Sequence, residues 1–350
     1  MPEIERNPAG AAGNDRDYGI DLGTANTVIY ERGRGIVLRE PSVIAIDTRT
    51  DEVVAAGREA REMLGKTPEH VAVLSPMTRG AVADIPACAA MLRFFMNKIR
   101  RAVSVRKPKA MIAVACGLTD VERRAVEDTC RQAGFQQISL FEAPMAAALG
   151  AELPVSLPVG SLVLNVGAGI SEAAVISLGD VVASATERIG SQDIDEAIAV
   201  YVRRKYGLII SRKSSEDIKL KIGSAFEQSE ENIAEVRGRS AVDGLPRSCK
   251  VRGDELLPVI QPVVVRIAEL VAKCLESAPA ELAADAFESG IVITGAAAEL
   301  QGLGDFIAEY TRVKAVLPER PRDCTAEGTG KSLDLVISDR GVRRFRKQSF

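Results

Sequence analysis

The chain has no tryptophan and a single histidine, His70, in 350 residues. Its six cysteines, at 88, 116, 130, 249, 274 and 324, include no CxxC pair, so they offer neither a zinc-ligand cluster nor a disulfide framework. Reduced, buried thiols are the expectation, with His70 at the surface. No apolar run reaches the roughly 20 residues that a membrane-spanning helix needs. The opening stretch MPEIERNPAGAAGNDRD lacks the apolar segment of a signal peptide, and its Pro, Gly and polar residues predict a disordered arm over 1–17. Neither sign of charge prevails. With 45 Lys and Arg against 48 Asp and Glu, a formal net charge of -3, no overall field draws nucleic acid. These absences predict a cytoplasmic globular chain with no nucleic-acid partner.

Apolar residues make up 46% of the chain, enough at this length for a large core and for two domains rather than one. Residues 18–30, YGIDLGTANTVIY, alternate apolar positions on both sides of GTAN, which predicts a hairpin, and short strands follow over 36–57. The helical spacing of Met91, Leu92, Phe95 and Ile99 marks a helix from Pro86, and DVERRAVEDTCRQAG marks another, capped by Asp120 and stopped at Gly134. Between them AMIAVAC reads as a buried strand; after them EAPMAAALGAELP reads as an alanine-rich helix ended by Gly150 and Pro154. Then the cycle restarts. LVLNVGAGISEAA, from Leu162, is again strand, glycine-rich bend and strand, followed by helices near Asp193–Lys205 and Pro258–Ser277 and by the strand IVITG. One such hairpin in each half predicts a duplicated α/β architecture. Two glycine bends facing across a cleft would present backbone N–H groups able to hold a chain of phosphates and its metal.

Other features carry plainer readings. The charged face of DVERRAVEDTCRQAG, with Arg123 and Arg124, is a solvated surface, and PMAAALGAEL is small-residue packing except at Glu142 and Ala143. Two basic stretches, Lys98–Lys109 and Arg340–Lys347, interleave Arg and Lys with Val103, Val105 and Phe345. They read either as solvated loops or as contacts with an anionic membrane surface, where each basic residue contributes about 1 kcal/mol.

The strings GIDLGTANTVIYERGRGIVLREPSVIAI, AVACGLTDVERRAVEDTCRQAG, EAPMAAALGAELP, DIDEAI, RRKYGLIIS and DIKLKIGSA resemble the MreB family of bacterial actins, over about Tyr18 to Gly330. The resemblance implies an actin-like, ribonuclease H-like fold: two duplicated α/β domains, each with a smaller subdomain, around a nucleotide cleft. The bounds implied are domain I over 18–152 with a subdomain at about 33–75, domain II over 153–321 with one at about 188–252, and a return to domain I with a basic tail over 322–350. The ligand implied is ATP with Mg²⁺. Asp21, Gly23, Thr24, Ala25 and Asn26 match the family's first phosphate loop, with Asp21 holding the metal through water. The second loop reads Asn165, Val166, Gly167, Ala168, Gly169, Ile170, Ser171, Glu172 against the family's DIGGGTTE. An amide at Asn165 brings no negative charge to Mg²⁺, and Ile170 places an apolar group where a hydroxyl would meet phosphate or water. The family's EEP becomes Glu142, Ala143, Pro144, so the water-orienting carboxylate is missing at Ala143. Glu216, Asp217 and Lys219 fall near the expected ribose, with Lys221 in place of an acid. The purine-side TGGGA becomes Thr294, Gly295, Ala296, Ala297 and Ala298, whose added methyls narrow the turn.

These departures predict weakened nucleotide binding and little or no ATP hydrolysis in a cytoskeletal protein. It would assemble into membrane-associated filaments, alone or with a paralogous MreB-like chain. The partners implied are the cell-wall synthesis machinery and an anionic membrane surface, placing the chain peripherally at the inner face of the membrane. The alternative is an active ATP-dependent filament. A small-molecule kinase of the same superfamily would need a base aimed at a substrate hydroxyl, and no additional acid-bearing insertion is visible.

Overall fold

A computed structural model describes residues 17–99, 108–227 and 232–334, with the backbone of 336–337 and 343–344. Residues 1–16 of the expected arm, most of the first basic stretch and all of the basic tail but the backbone of 343–344 lie outside the described residues, whereas Asp17, the arm's expected last residue, is buried at the start of the first strand.

The first half opens with a meander of three antiparallel strands, β1 (Asp17–Leu22), β2 (Asn26–Glu31) and β3 (Gly35–Pro41). Next come β4 (Ile44–Asp47), β5 (Glu52–Ala56), α1 (Arg58–Met63) and β6 (Val71–Leu74), whose strands form a separate three-stranded sheet, and a small ribbon of β7 (Met77–Thr78) and β8 (Ala81–Val82). The chain re-enters the main sheet through α2 (Ile85–Ile99), β9 (Lys109–Val114), α3 (Asp120–Ala133) and β10 (Gln137–Glu142), and closes with α4 (Ala143–Gly150). Strands β9 and β10 join parallel beside β1, giving the order β10-β9-β1-β2-β3.

The second half repeats this plan. A meander of β11 (Ser161–Val166), β12 (Ser171–Ser177) and β13 (Asp180–Glu187) leads into α5 (Ser191–Tyr206), β14 (Leu208–Ile209), α6 (Arg212–Ile222), β15 (Ile233–Ser240) and β16 (Pro246–Arg252). Strands β14 to β16 make a second small sheet. After α7 (Gly253–Ser277) and α8 (Ala280–Ser289), β17 (Ile291–Thr294), α9 (Leu303–Thr311) and β18 (Ala315–Val316) complete the main sheet. Its order, β13-β12-β11-β17-β18, mirrors the first: antiparallel meander, then parallel strands. Finally α10 (Cys324–Lys331) returns to the first half, packing on α4 and β1, and β19 (Val336–Ile337) pairs with β20 (Arg343–Arg344).

Sheet packing follows from the apolar pattern. Every residue of β12 is buried, as expected of a strand covered on both faces. The first-half core gathers Tyr18, Ile20 and Ile112 with Met91, Leu92 and Phe95 of α2, while the second gathers Leu162, Leu164 and Ile293 with Ile260 and Val264 of α7. Two expectations need adjusting. Thr119, not Asp120, caps α3: its hydroxyl accepts from the Glu122 N–H while the Glu122 carboxylate accepts from the Thr119 N–H, a reciprocal pair that satisfies two end donors. Helix α7 begins at Gly253 and not Pro258, because Leu256 is fully buried and anchors an extra turn. His70 is half-buried, and its carbonyl accepts from the Thr48 N–H and hydroxyl.

Candidate functional site: a cleft between two phosphate-type hairpins

The same hydrogen bond closes both hairpin bends. In the first the Gly23 N–H donates to the Asn26 carbonyl at 3.1 Å, and in the second the Gly167 N–H donates to the Ile170 carbonyl at 2.9 Å. Both positions require glycine, since a Cβ would lie 2.6 Å from the Asn26 carbonyl oxygen and 2.9 Å from that of Ile170. The duplication therefore extends to atomic detail. The bends face each other over a cavity of about 430 Å³, a size typical of small-molecule sites.

From the first half Asp21, Gly23, Thr24, Ala25 and Asn26 line this cavity, together with Ala143 at the start of α4. Asn165, Gly167, Ala168 and Ile170 line it from the second hairpin, and Glu216, Lys219, Gly295, Ala296 and Ala297 from the elements beyond. Three candidates fall elsewhere. Gly169 borders a second, smaller pocket, Asp217 is exposed on the outer face of α6, and Ala298 is buried in the second core. Lys221 is exposed and lines no part of the cavity.

At the two positions that replace polar groups, the geometry is specific. The Asn165 side-chain oxygen accepts from the Thr294 hydroxyl at 3.3 Å, so this acceptor is already engaged within the protein. Ile170 packs against Gly80, where an added Cβ would meet its side-chain atoms at 3.0–3.3 Å, and so forms an apolar seal across the cleft. Gly295, with φ of 88°, abuts the Val166 carbonyl and the Asn165 side chain, which keeps the purine-side turn tight without a side chain.

Among the described residues, two acids of the cleft, Asp21 and Glu172, form no ion pair, whereas each cation there is paired. Burial pushes the Asp21 carboxyl up to about 6, against the opposing pull of the Arg39 guanidinium. Burial likewise pushes Glu172 up to about 7; the Cys116 N–H, donating at 2.7 Å, offsets this, whereas the charges of Glu142 and Asp21 add to it. Glu172 lines the cavity and is a residue that the loop motif contained but sequence reasoning left without a role. Its signal was available: alternation along β12 sets Ser171 and Glu172 on opposite faces. The cavity's cations have acidic partners already: Arg39 pairs with Asp323, Arg61 with Glu216, Arg322 with Glu299, and buried Lys219 with Asp195 at 2.7 Å. Burial raises the Asp195 carboxyl in spite of that lysine.

This donor set fits phosphates better than it fits a metal. Tight turns offer backbone N–H groups to anions, and residues of both bends line this cavity. For a divalent cation the two loop motifs supply two carboxylates, Asp21 and the buried Glu172, and among the described residues no three Asp, Glu, His or Cys side chains converge. Mg²⁺ bound here would be held through water by Asp21 and by the nucleotide's own oxygens.

A duplicated pair of sheets clasping a cleft between matched hairpins defines an actin-like fold. Comparison with known proteins places it more narrowly. The sequence profile of the MreB/Mbl protein family matches residues 15–339. The cell shape-determining protein MreB of Escherichia coli K12 is 43% identical over 327 residues, covering 91% of this chain and 94% of its own. MreB 5 of Spiroplasma citri bound to AMPPNP superposes with a TM-score of 0.86 at 30% identity, over 91% of this chain and 96% of that one. The MamK double helical filament, at 17% identity and a TM-score of 0.77 over 92% of this chain and all of that one, shares the fold. The chain belongs to the MreB/Mbl family.

Proposed function

We propose that this chain is an MreB-like cytoskeletal subunit that assembles into filaments at the inner face of the membrane, alone or with a second MreB-like chain, and there organises cell-wall synthesis and cell shape. Nucleotide is held weakly in the cleft and hydrolysed slowly or not at all. The observation that carries this reading is the contrast inside one site. Both hairpin bends keep their closing hydrogen bond, while Ala143, Asn165 and Ile170 withhold the carboxylates and the hydroxyl that hydrolysis uses. The structural relative from Spiroplasma citri, bound to AMPPNP, supports a nucleotide in this cleft.

A second reading, an ATP-driven filament, draws on Glu172. This buried carboxylate of raised pKa lies in the cleft, as a residue that handles a proton near neutral pH would. Assembly tests the first reading. Sedimentation and electron microscopy of the full chain, with and without a paralogue and with and without ATP and Mg²⁺, should show polymer whose amount changes less than about twofold with nucleotide. Monomer under every condition at high concentration would overturn it.

A further inference from the structure

The two halves of this molecule are tied across the cleft by their own side chains. Arg79, in the turn between β7 and β8, has φ of 47°, a conformation costly for a residue with a side chain. Its guanidinium donates to the Arg188 carbonyl at 2.6 Å and to an Asp193 carboxylate oxygen at 2.9 Å, both on the second half where β13 runs into α5. Arg188 in turn reaches back to Glu122 on α3 of the first half, and that carboxylate is held in place by its capping role. Further along the cleft Arg61 of α1 pairs with Glu216 of α6. Deeper inside, the Cys116 N–H donates to Glu172 from one half to the other.

Between these polar ties the surfaces touch directly. A Cβ on Gly169 would lie 3.0 Å from the Arg79 Cα and 3.1 Å from the Thr24 methyl, and Ile170 seals against Gly80. Any one exposed ion pair contributes little. Several at separate points along the two lips act together, because opening the cleft must break all of them at once.

We infer that this chain holds its own cleft closed, with Arg79 as the latch, so that closure does not wait for nucleotide. A nucleotide spanning two hairpins closes such a cleft by contacting both sides. Here the cavity-lining cations are each bound to acids of the same chain, and Arg79 and Arg188 bridge the lips through bonds between the protein's own groups. Salt, not phosphate, becomes the variable that opens it, since ion pairs at the rim are screened as the Debye length falls from about 10 Å at 0.1 M to about 3 Å at 1 M. The inference rests on the reading of this cleft as the nucleotide site and adds how that site is regulated.

Hydrogen exchange of the full chain tests it, with the Cys116 amide as the probe because its acceptor lies across the cleft. In low salt, protection without nucleotide should lie within about twofold of protection with AMPPNP and Mg²⁺, and should fall about tenfold in roughly 1 M NaCl. Arg79→Gln should release the amide about tenfold in low salt and make its protection depend on nucleotide. The exchanged pair Arg79→Asp with Asp193→Arg should recover part of it. A gain of about tenfold on adding nucleotide to the unmodified chain, or no response to salt, would overturn the latch, and the salt arm decides this even where a variant fails to fold. Sedimentation of the same samples separates the two claims: polymer with a nucleotide-gated cleft sinks the latch alone, whereas a closed cleft with no polymer sinks the filament reading alone.

Discussion

Glu172 and Asp21 are two buried carboxyls whose ionised forms the fold penalises. Folding raises Asp21 to about 6 and Glu172 to about 7, above their unfolded values, so between roughly pH 4 and 7 the native state binds more protons than the unfolded chain. The cost is absent below the ordinary carboxylate range, grows as pH rises through the window and is complete above about 7. Carboxyls held low, Asp243 by hydrogen bonds with Ser240 and the Leu245 N–H and Asp254 by the Arg252 guanidinium, affect stability only at more acid pH. The urea midpoint should therefore be higher at pH 5.5 than at pH 8. Glu172→Gln should shrink that difference and raise the midpoint at pH 8; a midpoint that climbs with pH in the unmodified chain would refute the assignment. The sequence made the substitutions at Asn165, Ile170 and Ala143 legible, because each changes a residue type within a contiguous motif. The pairing of Asn165 with Thr294 was not legible, since it joins neighbouring strands far apart in the chain.

At the scale of elements, local signals located both hairpins and helices α3, α4 and α5 at the cleft, but not α1, α6 or α10, which also line it. Their ends were harder to place. Pro258 reads as a helix start because proline suits the first turn, yet burial of Leu256 carries α7 back to Gly253 with Pro258 and Pro262 inside it. The α4–α10 crossing also escaped the sequence, although its cause is simple. A Cβ on Gly150 would overlap the Cys324 carbonyl, and one on Gly328 would overlap the Ala146 carbonyl, so two glycines let the backbones touch where the chain returns to the first half. Gly328→Ala should separate these helices and cost about 1–3 kcal/mol or more, as overpacking does. Chemical denaturation would measure it, and a wild-type midpoint would show that the crossing is looser than described. Because α10 also packs on β1, whose end carries Asp21, the same variant should weaken nucleotide binding without touching the ligand.

Across the whole molecule, duplication was the most legible property, because a glycine bend between apolar strands recurs once per half and each copy folds to the same sheet order. What the two copies do to each other was hidden. Arg79, Glu122 and Arg188 sit in unremarkable stretches, and only the closed arrangement of the halves brings them together. On the proposed function the fold keeps the nucleotide cleft while the chemistry of hydrolysis has gone from it. Phosphate release measures this most directly, on polymerised protein supplied with ATP and Mg²⁺, beside the triple variant Asn165→Asp, Ile170→Thr and Ala143→Glu. Release indistinguishable from background is expected in the unmodified chain and turnover in the variant, in which metal charge, hydroxyl and water-orienting carboxylate return together. Robust turnover by the unmodified chain would contradict the proposed function.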